Sequence, residues 1–502
     1  MKFASCLAAL ATFCFVSPAA AQALQSPPQQ LDAARKAAFA ELDPLFETFM
    51  REQNVPGLVY GVVADGRLAY VRSLGVQDVE TKAPVTPDTV FRIASMSKNF
   101  TALAALKLRD EGRLALDDPA ERHVPELKGL RYPTSDSPKI TVRDLLSHTG
   151  GFVTDDPWGD RQLDMPEADF SRFVAAGAPF SRTPGTGFEY SNFGYALAGR
   201  VVSNAAGRPY ADYIAASFFA PLGMASTTYD IGKVPAARLA RGYRWEDGQW
   251  KPEPALGPGA FGAMGGLLTS ADDYARYMAW ELAAWPPRNE PEDSVLARAS
   301  IREIARPQTY LTVQRRAEPD GCDRGSAYGL GTISYTDCVL GLHFGHSGGL
   351  PGYGSNVLML PQRGLGVFAF TNRTYAPASV VVRQAATQLV RSGAFPLRES
   401  PSPAVKAMAE TAMRIYAAGD ILAAREALAI NFLLDEDAAH RNARIAPVKE
   451  KLGDCSGELQ PVRVDSALSA ILRVPCERGT LEVRFLLAPT TPLTFQALDF
   501  RS

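Results

Sequence analysis

The sequence lacks any strong excess of charge of one sign. Its 52 basic and 54 acidic residues leave a formal net charge of −2, so there is no electrostatic argument for nucleic acid or an anionic membrane as a partner. It also lacks long runs of like charge, internal repeats and low-complexity tracts. What remains is a chain of 502 residues with 46% hydrophobic content. Such a composition is ordinary for a soluble globular protein, and the length allows more than one domain.

Long apolar runs are also scarce, and the one at the N-terminus is too short to serve well as a membrane span. Lys2 precedes an apolar run over residues 3–16, and small residues follow. This is the pattern of a secretory signal peptide, with cleavage after Ala21 or Ala23, whereas a spanning helix needs about 20 apolar residues. We therefore predict that residues 1–23 are a signal peptide. The mature protein is expected to be periplasmic or secreted, without a stable membrane anchor.

Cysteine is scarce as well, and the signal peptide removes two of the six. The remaining four are an even set in an oxidising compartment, which favours disulfides, although three pairings are possible. Cys455 and Cys476 are equally distant from a plausible turn at residues 465–466, so we expect them to pair across a hairpin. Cys322 and Cys338 then pair by elimination. Buried free thiols or a metal site are the alternatives, but no Cys-x-x-Cys or paired histidine spacing supports a metal.

Turn signals and hydrophobic periodicity predict a mixture of helices and antiparallel strands. Asp65-Gly66 joins two strand-like runs into a hairpin, and an apolar helix follows Ser95. Further expected segments are an amphipathic helix over 31–53, a short helix capped by Thr141 and ending at Gly150, an irregular surface segment over 152–187, strands over 328–335, 338–345, 356–360 and 366–371, and a helix over about 376–392.

A linker rich in serine and proline divides the chain at residues 400–403. We predict a main domain over 24–398 and a small accessory domain over 399–502. Two helical segments followed by four short strands give this tail an α+β composition, and its length suffices for a separate module. We find no catalytic set of residues in it.

Ser95 and Lys98 form a candidate nucleophile and base at the head of the apolar helix. A spacing of three residues puts both side chains on one helix face, where a partly desolvated amine can accept the serine proton. The positive end of the helix dipole favours the developing alkoxide. Ser-x-x-Lys alone is common by chance. The helix that follows is apolar nearly all round, however, so a polar pair at its start needs a reason.

Ser347 is a competing candidate nucleophile. Residues 345–349 read GHSGG, which matches the Gly-x-Ser-x-Gly elbow of α/β-hydrolases. That elbow leads into a helix, but here a turn rich in glycine and proline and then a strand follow. The expected downstream histidine would have to be His440, across the linker. The context therefore disfavours the elbow.

Three stretches together resemble the active-site motifs of the class C β-lactamase and penicillin-recognising serine hydrolase family, in that family's order. They are residues 91–98 (FRIASMSK), 190–192 (YSN) and 346–349 (HSGG). The similarity continues at 145–151 (LLSHTGG) and covers roughly residues 35–390. The resemblance implies an α/β fold of the β-lactamase and transpeptidase type, in which helices flank an antiparallel sheet and an all-helical part accompanies it.

The resemblance also implies an acyl-enzyme mechanism without metal or cofactor. Ser95 would attack a carbonyl carbon of a small-molecule or peptide substrate, while Lys98 and Tyr190 share its proton and the tyrosine returns it to the leaving group. Tyr190 can act as a base only if a close cation such as Lys98 favours the phenolate. Asn192 would hold a substrate amide. The backbone N–H groups of Ser95 and Gly349 would form the oxyanion hole.

The third motif departs from the family pattern. β-Lactamases of this kind carry Lys-Thr-Gly where this chain has His346-Ser347-Gly348. Ser347 can still donate to a substrate carboxylate, but a mostly neutral imidazole lowers the local positive potential. We predict that His346→Lys removes any limb of the activity near ~6–7, the range in which imidazole titrates. Among members of the family, histidine at this place is typical of peptidases, D-amino-acid amidases and esterases.

We therefore expect an exported serine hydrolase of the D-amino-acid peptidase, carboxypeptidase or esterase type. A true class C-like β-lactamase and a non-catalytic cell-wall-binding protein on the same fold are the alternatives. The sequence sets neither the natural substrate nor the oligomeric state. His148, inside the LLSHTGG stretch, is interpreted as a residue that caps local structure.

Overall fold

The computed structural model describes residues 33–292, 295–315, 322–398 and 401–502. The predicted signal peptide, the first residues of the amphipathic segment and the start of the linker lie outside them. The α-helices are α1 (Ala33–Ala40), α2 (Asp43–Glu52), α3 (Ser97–Asp110), α4 (Ala120–His123), α5 (Val142–Ser147), α6 (Glu167–Ala175), α7 (Asn192–Ala206), α8 (Tyr210–Ile214), α9 (Gly262–Gly265), α10 (Ala271–Leu282), α11 (Arg298–Glu303), α12 (Ala378–Arg391), α13 (Pro403–Ala418), α14 (Phe432–Asp435) and α15 (Ala438–Leu452).

The strands form one large sheet, one small sheet and two short ribbons. They are β1 (Gly57–Ala64), β2 (Arg67–Gly75), β3 (Phe91–Arg92), β4 (Tyr243–Glu246), β5 (Gln249–Pro252), β6 (Leu268–Thr269), β7 (Thr309–Gln314), β8 (Arg324–Tyr328), β9 (Ile333–Asp337), β10 (Gly341–Leu350), β11 (Tyr353–Leu360), β12 (Leu365–Thr371), β13 (Gln460–Ser466), β14 (Ser469–Cys476), β15 (Gly479–Ala488) and β16 (Thr494–Arg501). The ribbons are β3 with β6 and β4 with β5.

The large sheet is antiparallel, in the order β2-β1-β12-β11-β10-β9-β8-β7. The predicted Asp65-Gly66 hairpin is β1 and β2, and both turn residues have positive φ. Because β1 pairs with β12 on its other side, the start of the domain is joined to its end. The strand order places β10, which carries the third motif, three positions from β1. The predicted fold class is confirmed.

Helices cover both faces of this sheet, so that a hydrophobic core lies on each side of it. Because side chains alternate along a strand, β1 contributes residues to both cores. Val59 and Val63 belong to the core that includes α3, α5, α7 and α10. Leu58, Tyr60 and Val62 belong to the opposite core, against α1, α2 and α12. All eight residues of β1 are buried, as expected for a strand with a helical layer on each side. The candidate nucleophile lies in the first of these layers.

The C-terminal segment has a sheet and a hydrophobic core of its own. Strands β13 to β16 form an antiparallel meander, against which α13 and α15 pack with residues such as Ile415 and Leu452. No helix that the structure describes is both long and apolar enough to cross a membrane.

Both predicted cysteine pairs are joined in the structure. Cys455 is bonded to Cys476 and Cys322 to Cys338. The hairpin turn that brings the first pair together lies at residues 467–468, two residues later than expected. Register shifts in the β13–β14 pairing still leave the two cysteines opposite each other.

Several predicted element boundaries are wrong. The amphipathic segment is two helices, because the chain turns at residues 41–42 and the second helix begins at Asp43, with Pro44 in its first turn. The segment over 152–187 contains α6, whose Phe170 and Val174 are buried. A turn divides the expected strand at 328–335 into the end of β8 and the start of β9, and the expected strand at 338–345 begins with a turn, so β10 starts only at Gly341. Thr141 does cap α5 through a capping box with Asp144, but the helix ends at Ser147.

Candidate active site

Ser95 lies in a 3-10 turn, Ala94–Met96, immediately before α3. Ala94 has a left-handed backbone with φ 51°, which costs energy for a residue with a Cβ and marks a constrained turn. Ser97 anchors the turn: its Oγ donates to Ala94 O at 2.6 Å and accepts from Leu267 N–H at 3.0 Å. The serine is therefore held by local geometry and by a neighbouring segment.

Lys98 is fully buried and its Nζ lies 2.9 Å from Ser95 Oγ. The same Nζ contacts Asn192 Oδ1 at 2.8 Å and Met264 O at 2.9 Å. Burial lowers the pKa of Lys98 to about 8, against the opposing effect of nearby carboxylates, chiefly Asp156. The spacing predicted from the sequence thus places a partly neutral amine beside the serine.

Tyr190 completes the contact set around the serine. Its hydroxyl lies 2.9 Å from Ser95 Oγ, and Lys98 Nζ is 4.9 Å from the centre of its ring. Burial first, and then neighbouring Tyr328 and Asp156, raise the pKa of Tyr190 well above its usual value. The raised pKa favours a neutral phenol over the phenolate that a base role for Tyr190 requires.

Asn192 is the first residue of α7, whose N-cap is Ser191. Its side chain is buried and bridges two partners, since Oδ1 accepts from Lys98 Nζ and Nδ2 donates to Asp156. The expected contact with a substrate amide therefore competes with contacts inside the protein. Asn192 also orients Lys98, which the sequence did not indicate.

Three aspartates that belong to none of the three motifs lie around the start of α7: Asp155, Asp156 and Asp160. Asp155 accepts from the backbone N–H groups of Asn192 and Phe193, each at 2.7 Å, and so caps the helix. Asp160 accepts from the Tyr375 hydroxyl at 2.7 Å. Burial raises the pKa of Asp155, and it raises that of Asp160 to about 7. These residues come from the segment interpreted as an irregular surface, where neither periodicity nor spacing distinguished them.

His346 is buried and neutral in this site. Its Nδ1–H donates to Ser347 O at 2.6 Å, and its Nε2 accepts from the Tyr328 hydroxyl at 3.1 Å. Burial, helped by the charge of Lys98, lowers the pKa of His346 to about 3. This lowered pKa counts against an activity limb near ~6–7 from the histidine, which stays a prediction for a pH-rate profile to test. Its ring centre lies 6.3 Å from that of Tyr190, so the third motif does reach the serine site.

Gly348 and Gly349 lie on the part of β10 that approaches the nucleophile turn. A Cβ on Gly348 would collide with Ile93 O and Ser355 Oγ, so glycine permits the close approach of strand and turn. A Cβ on Gly349, on the opposite face, would meet the ring of Tyr375 at 2.8 Å. The role of the Gly349 N–H in an oxyanion hole stays a prediction.

Ser347 points to the face of β10 opposite His346. Its Oγ accepts from Asn356 Nδ2 at 3.0 Å, and its side chain is exposed. It borders an open cavity of about 720 Å³ that Arg324 and Arg383 also line. The role of Ser347 as a donor to a substrate carboxylate also stays a prediction.

The fold and the contacts of Ser95 with Lys98 and Tyr190 define a protein of the β-lactamase and transpeptidase class. The chain belongs to the Beta-lactamase family, whose profile matches residues 42–392. The resemblance drawn from the three motifs is thereby confirmed. For the site residues themselves, the geometry brings Ser95, Lys98, Tyr190 and Asn192 together, with His346 beside them.

Two curated relatives are similar to this chain over about 70% of its length. Protein flp of Staphylococcus aureus (strain MRSA252) is 29% identical over 357 residues, covering 70% of this chain and 66% of that protein. The chain thus spans just under two thirds of the length of Protein flp. Esterase EstB of Burkholderia gladioli is 31% identical over 400 residues, covering 71% of this chain and 96% of that protein.

A solved structure extends the fold comparison to most of the chain. The octameric penicillin-binding protein homologue from Pyrococcus abyssi aligns with a TM-score of 0.57 at 22% identity, covering 92% of this chain and 99% of that chain. At this identity the likeness concerns the fold alone.

Proposed function

We propose that the protein is an exported serine hydrolase that cleaves a carboxylic ester through an acyl-Ser95 intermediate. The observation that carries the proposal is that Ser95 Oγ lies 2.9 Å from both Lys98 Nζ and the Tyr190 hydroxyl. A nucleophile in contact with a buried amine and a buried phenol has one group to take its proton and another to return it.

Lys98 is the better proton acceptor of the two. Its pKa of about 8 leaves a substantial neutral fraction in weakly alkaline solution, whereas the raised pKa of Tyr190 keeps the phenol protonated. A neutral amine has two N–H donors and one lone pair. It can donate to Asn192 Oδ1 and Met264 O while accepting the Ser95 proton.

The reaction then follows from these contacts. Ser95 Oγ bonds to the carbonyl carbon as its proton passes to Lys98 Nζ, and the oxyanion accepts from the N–H groups of Ser95 and Gly349. The Tyr190 hydroxyl protonates the departing oxygen as the C–O bond breaks, and the Lys98 ammonium restores the tyrosine proton. Water then attacks the acyl carbon, passes its proton along the same groups and releases the acid and free Ser95.

Charge in the site supports an ester rather than an anionic β-lactam as substrate. His346 is neutral at ordinary pH, so the third motif brings no positive charge to the site, and Asn192 is bonded to the Asp156 side chain. An anionic β-lactam benefits from positive potential at the site. The similarity to Esterase EstB over 96% of its length also supports an ester substrate.

Amide hydrolysis, as in a D-amino-acid peptidase, is the second candidate. A departing amine needs a proton more than a departing alcohol does, and the Tyr190 hydroxyl is placed to supply one. The contact of Ser95 with a lysine of lowered pKa counts against a non-catalytic cell-wall-binding protein. Binding alone does not require an activated nucleophile.

Rates on short nitrophenyl esters, D-alanyl-D-alanine peptides and a chromogenic cephalosporin separate these functions. We expect ester turnover by the natural protein and by Ser135→Ala, a matched control at an exposed serine. Ser95→Ala should lose turnover and also the adduct that a fluorophosphonate forms on Ser95. Turnover by Ser95→Ala would overturn the mechanism, and peptide turnover alone would establish the second candidate. The absence of both turnover and adduct would favour the binding protein.

Export is tested on the full chain produced in a Gram-negative host. We expect the protein in the periplasm or medium, with a mature N-terminus at Gln22 or Leu24. A cytoplasmic product that retains residues 1–23 would contradict export.

A further inference from the structure

One residue, His148, contacts both neighbours of Tyr190 in the chain. The carbonyl oxygen of His148 accepts from Glu189 N–H at 2.9 Å, and its Nδ1 accepts from Ser191 N–H at 3.0 Å. His148 follows α5 with a left-handed backbone, φ 59°. The short loop that carries Tyr190 is thus attached on both sides to a single residue.

The His148 ring also packs directly on the Tyr190 ring. Their centroids are 4.3 Å apart with an interplanar angle of 35°. Tyr195 at 4.9 Å and Tyr328 at 4.7 Å surround the same imidazole, which is 2% exposed. Because the imidazole is enclosed, the Tyr190 phenol is restricted where it packs against His148.

The protonation state of His148 suits this arrangement. Accepting a hydrogen bond at Nδ1 requires a neutral ring with its proton on Nε2. Burial lowers the pKa of His148 well below its usual value, and the nearby charge of Lys98 acts in the same direction. The ring therefore stays neutral where Lys98, with a pKa of about 8, changes its charge.

We propose that His148 is a positioning residue that holds the Tyr190 hydroxyl against Ser95 Oγ. The inference rests on the proposed function, in which Tyr190 returns the proton to the leaving group. The capping role expected from the sequence accounts for the left-handed end of α5. It does not account for the bond from Ser191 N–H or for the packing on Tyr190. A displacement of the hydroxyl by about 1 Å would cost about 100-fold in rate.

Asparagine and glycine at position 148 form a matched pair of variants, because both tolerate the left-handed backbone. His148→Asn keeps an acceptor near the position of Nδ1, and His148→Gly removes it. We expect His148→Gly to lower kcat by about 100-fold with KM within about threefold of the natural value. His148→Asn should recover about tenfold of that loss, since the acceptor returns but the ring does not.

The Tyr190→Phe background separates positioning from general support of the fold. If His148 acts through the Tyr190 hydroxyl, His148→Gly should change kcat by less than about twofold once that hydroxyl is absent. An equal loss of kcat in both backgrounds would overturn the proposal, as would a fully active His148→Gly protein.

Nitrogen-15 NMR of the full chain provides a readout that does not depend on turnover or on the glycine variant folding. The His148 signals are assigned by their loss in His148→Asn, among five histidines. We expect an unprotonated Nδ1 and a protonated Nε2 from pH 6 to pH 9. A proton on Nδ1 would overturn the inference, whereas ester turnover by Ser95→Ala would overturn the proposed function and leave the His148 contacts in place.

Discussion

Ser355 Oγ donates a 2.8 Å hydrogen bond to the carbonyl oxygen of Ile93, 262 residues earlier in the chain. Ser355 is buried on β11, and Ile93 lies two residues before Ser95. The large sheet therefore holds the turn that carries the candidate nucleophile, at a distance along the chain that no local pattern reports.

Ser355→Ala is expected to loosen this turn. The Ile93 carbonyl loses a buried donor, which costs about 1–3 kcal/mol in the free energy of unfolding. Displacement of Ser95 should also lower kcat/KM by about tenfold. Ser334→Ala is the control, because it removes a buried bond to Ala305 O elsewhere in the same sheet. Urea unfolding measures the stability of each variant, and a rate assay measures its kcat/KM. If both variants lose kcat/KM to the same extent, the effect is general destabilisation.

The activity should rise with pH and level off above about 8, because Lys98 accepts the serine proton only when it is neutral. The Asp160 carboxylate raises the pKa of Lys98 against the larger lowering effect of burial. Asp160→Asn removes that charge and keeps an acceptor for Tyr375, so we expect the limb of kcat/KM to move to lower pH. Asp136→Asn, at an exposed loop position, should leave it in place. A limb unmoved by Asp160→Asn would contradict the assignment to Lys98.

We expect Glu281 to make the stability of the main domain depend on pH. It is fully buried on α10, where Asn99 Nδ2 donates to its Oε1 at 3.4 Å, and burial raises its pKa from 4.5 to about 7. Since the folded-state pKa is the higher one, the protonated side chain favours folding below about pH 4.5. This contribution is lost as pH rises through about 7. The loss is about 3 kcal/mol.

The free energy of unfolding of Glu281→Gln should therefore increase relative to that of the natural protein as pH rises from 4.5 to 7. Above pH 7 the difference between the two proteins should stay constant. Urea unfolding at pH 5, 6, 7 and 8 measures this difference. Glu47→Gln, at an exposed position on α2, should show no such trend. A difference that does not change with pH would contradict the raised pKa of Glu281.

Removal of the Cys455–Cys476 bond should destabilise the C-terminal domain selectively. The bond joins residues 21 apart, and releasing a loop of this size costs about 3 kcal/mol. All five tryptophans precede residue 286, so tryptophan fluorescence follows the main domain and far-ultraviolet circular dichroism follows both. In the double variant Cys455→Ser/Cys476→Ser, the midpoint of one unfolding transition seen by circular dichroism should fall. The midpoint of the fluorescence transition should stay unchanged. A shift of the fluorescence transition by the same amount would show that the two parts unfold as one.

The sequence by itself determined the features that depend on close neighbours along the chain. The β1–β2 hairpin follows from Asp65-Gly66, because these residues adopt positive φ readily. The start of α5 follows from Thr141, which needs only a partner three residues away. The contact of Ser95 with Lys98 follows from helical spacing.

Boundaries were less well determined where packing competes with local pattern. Gly331, with φ 72°, turns the chain between β8 and β9 inside one continuous β-like run. Helix α6 forms because the core accepts Phe170 and Val174, although its flanks are rich in turn residues.

Only the tertiary structure decided the charge states of the site and the residues that support it. The pKa values of Lys98 and His346 follow from burial and from charges on segments far along the chain. Asp160 and His148 reach the site only when distant segments pack together. Electrostatic interaction depends on separation in space and on access of water, and a linear sequence specifies neither until the chain has folded.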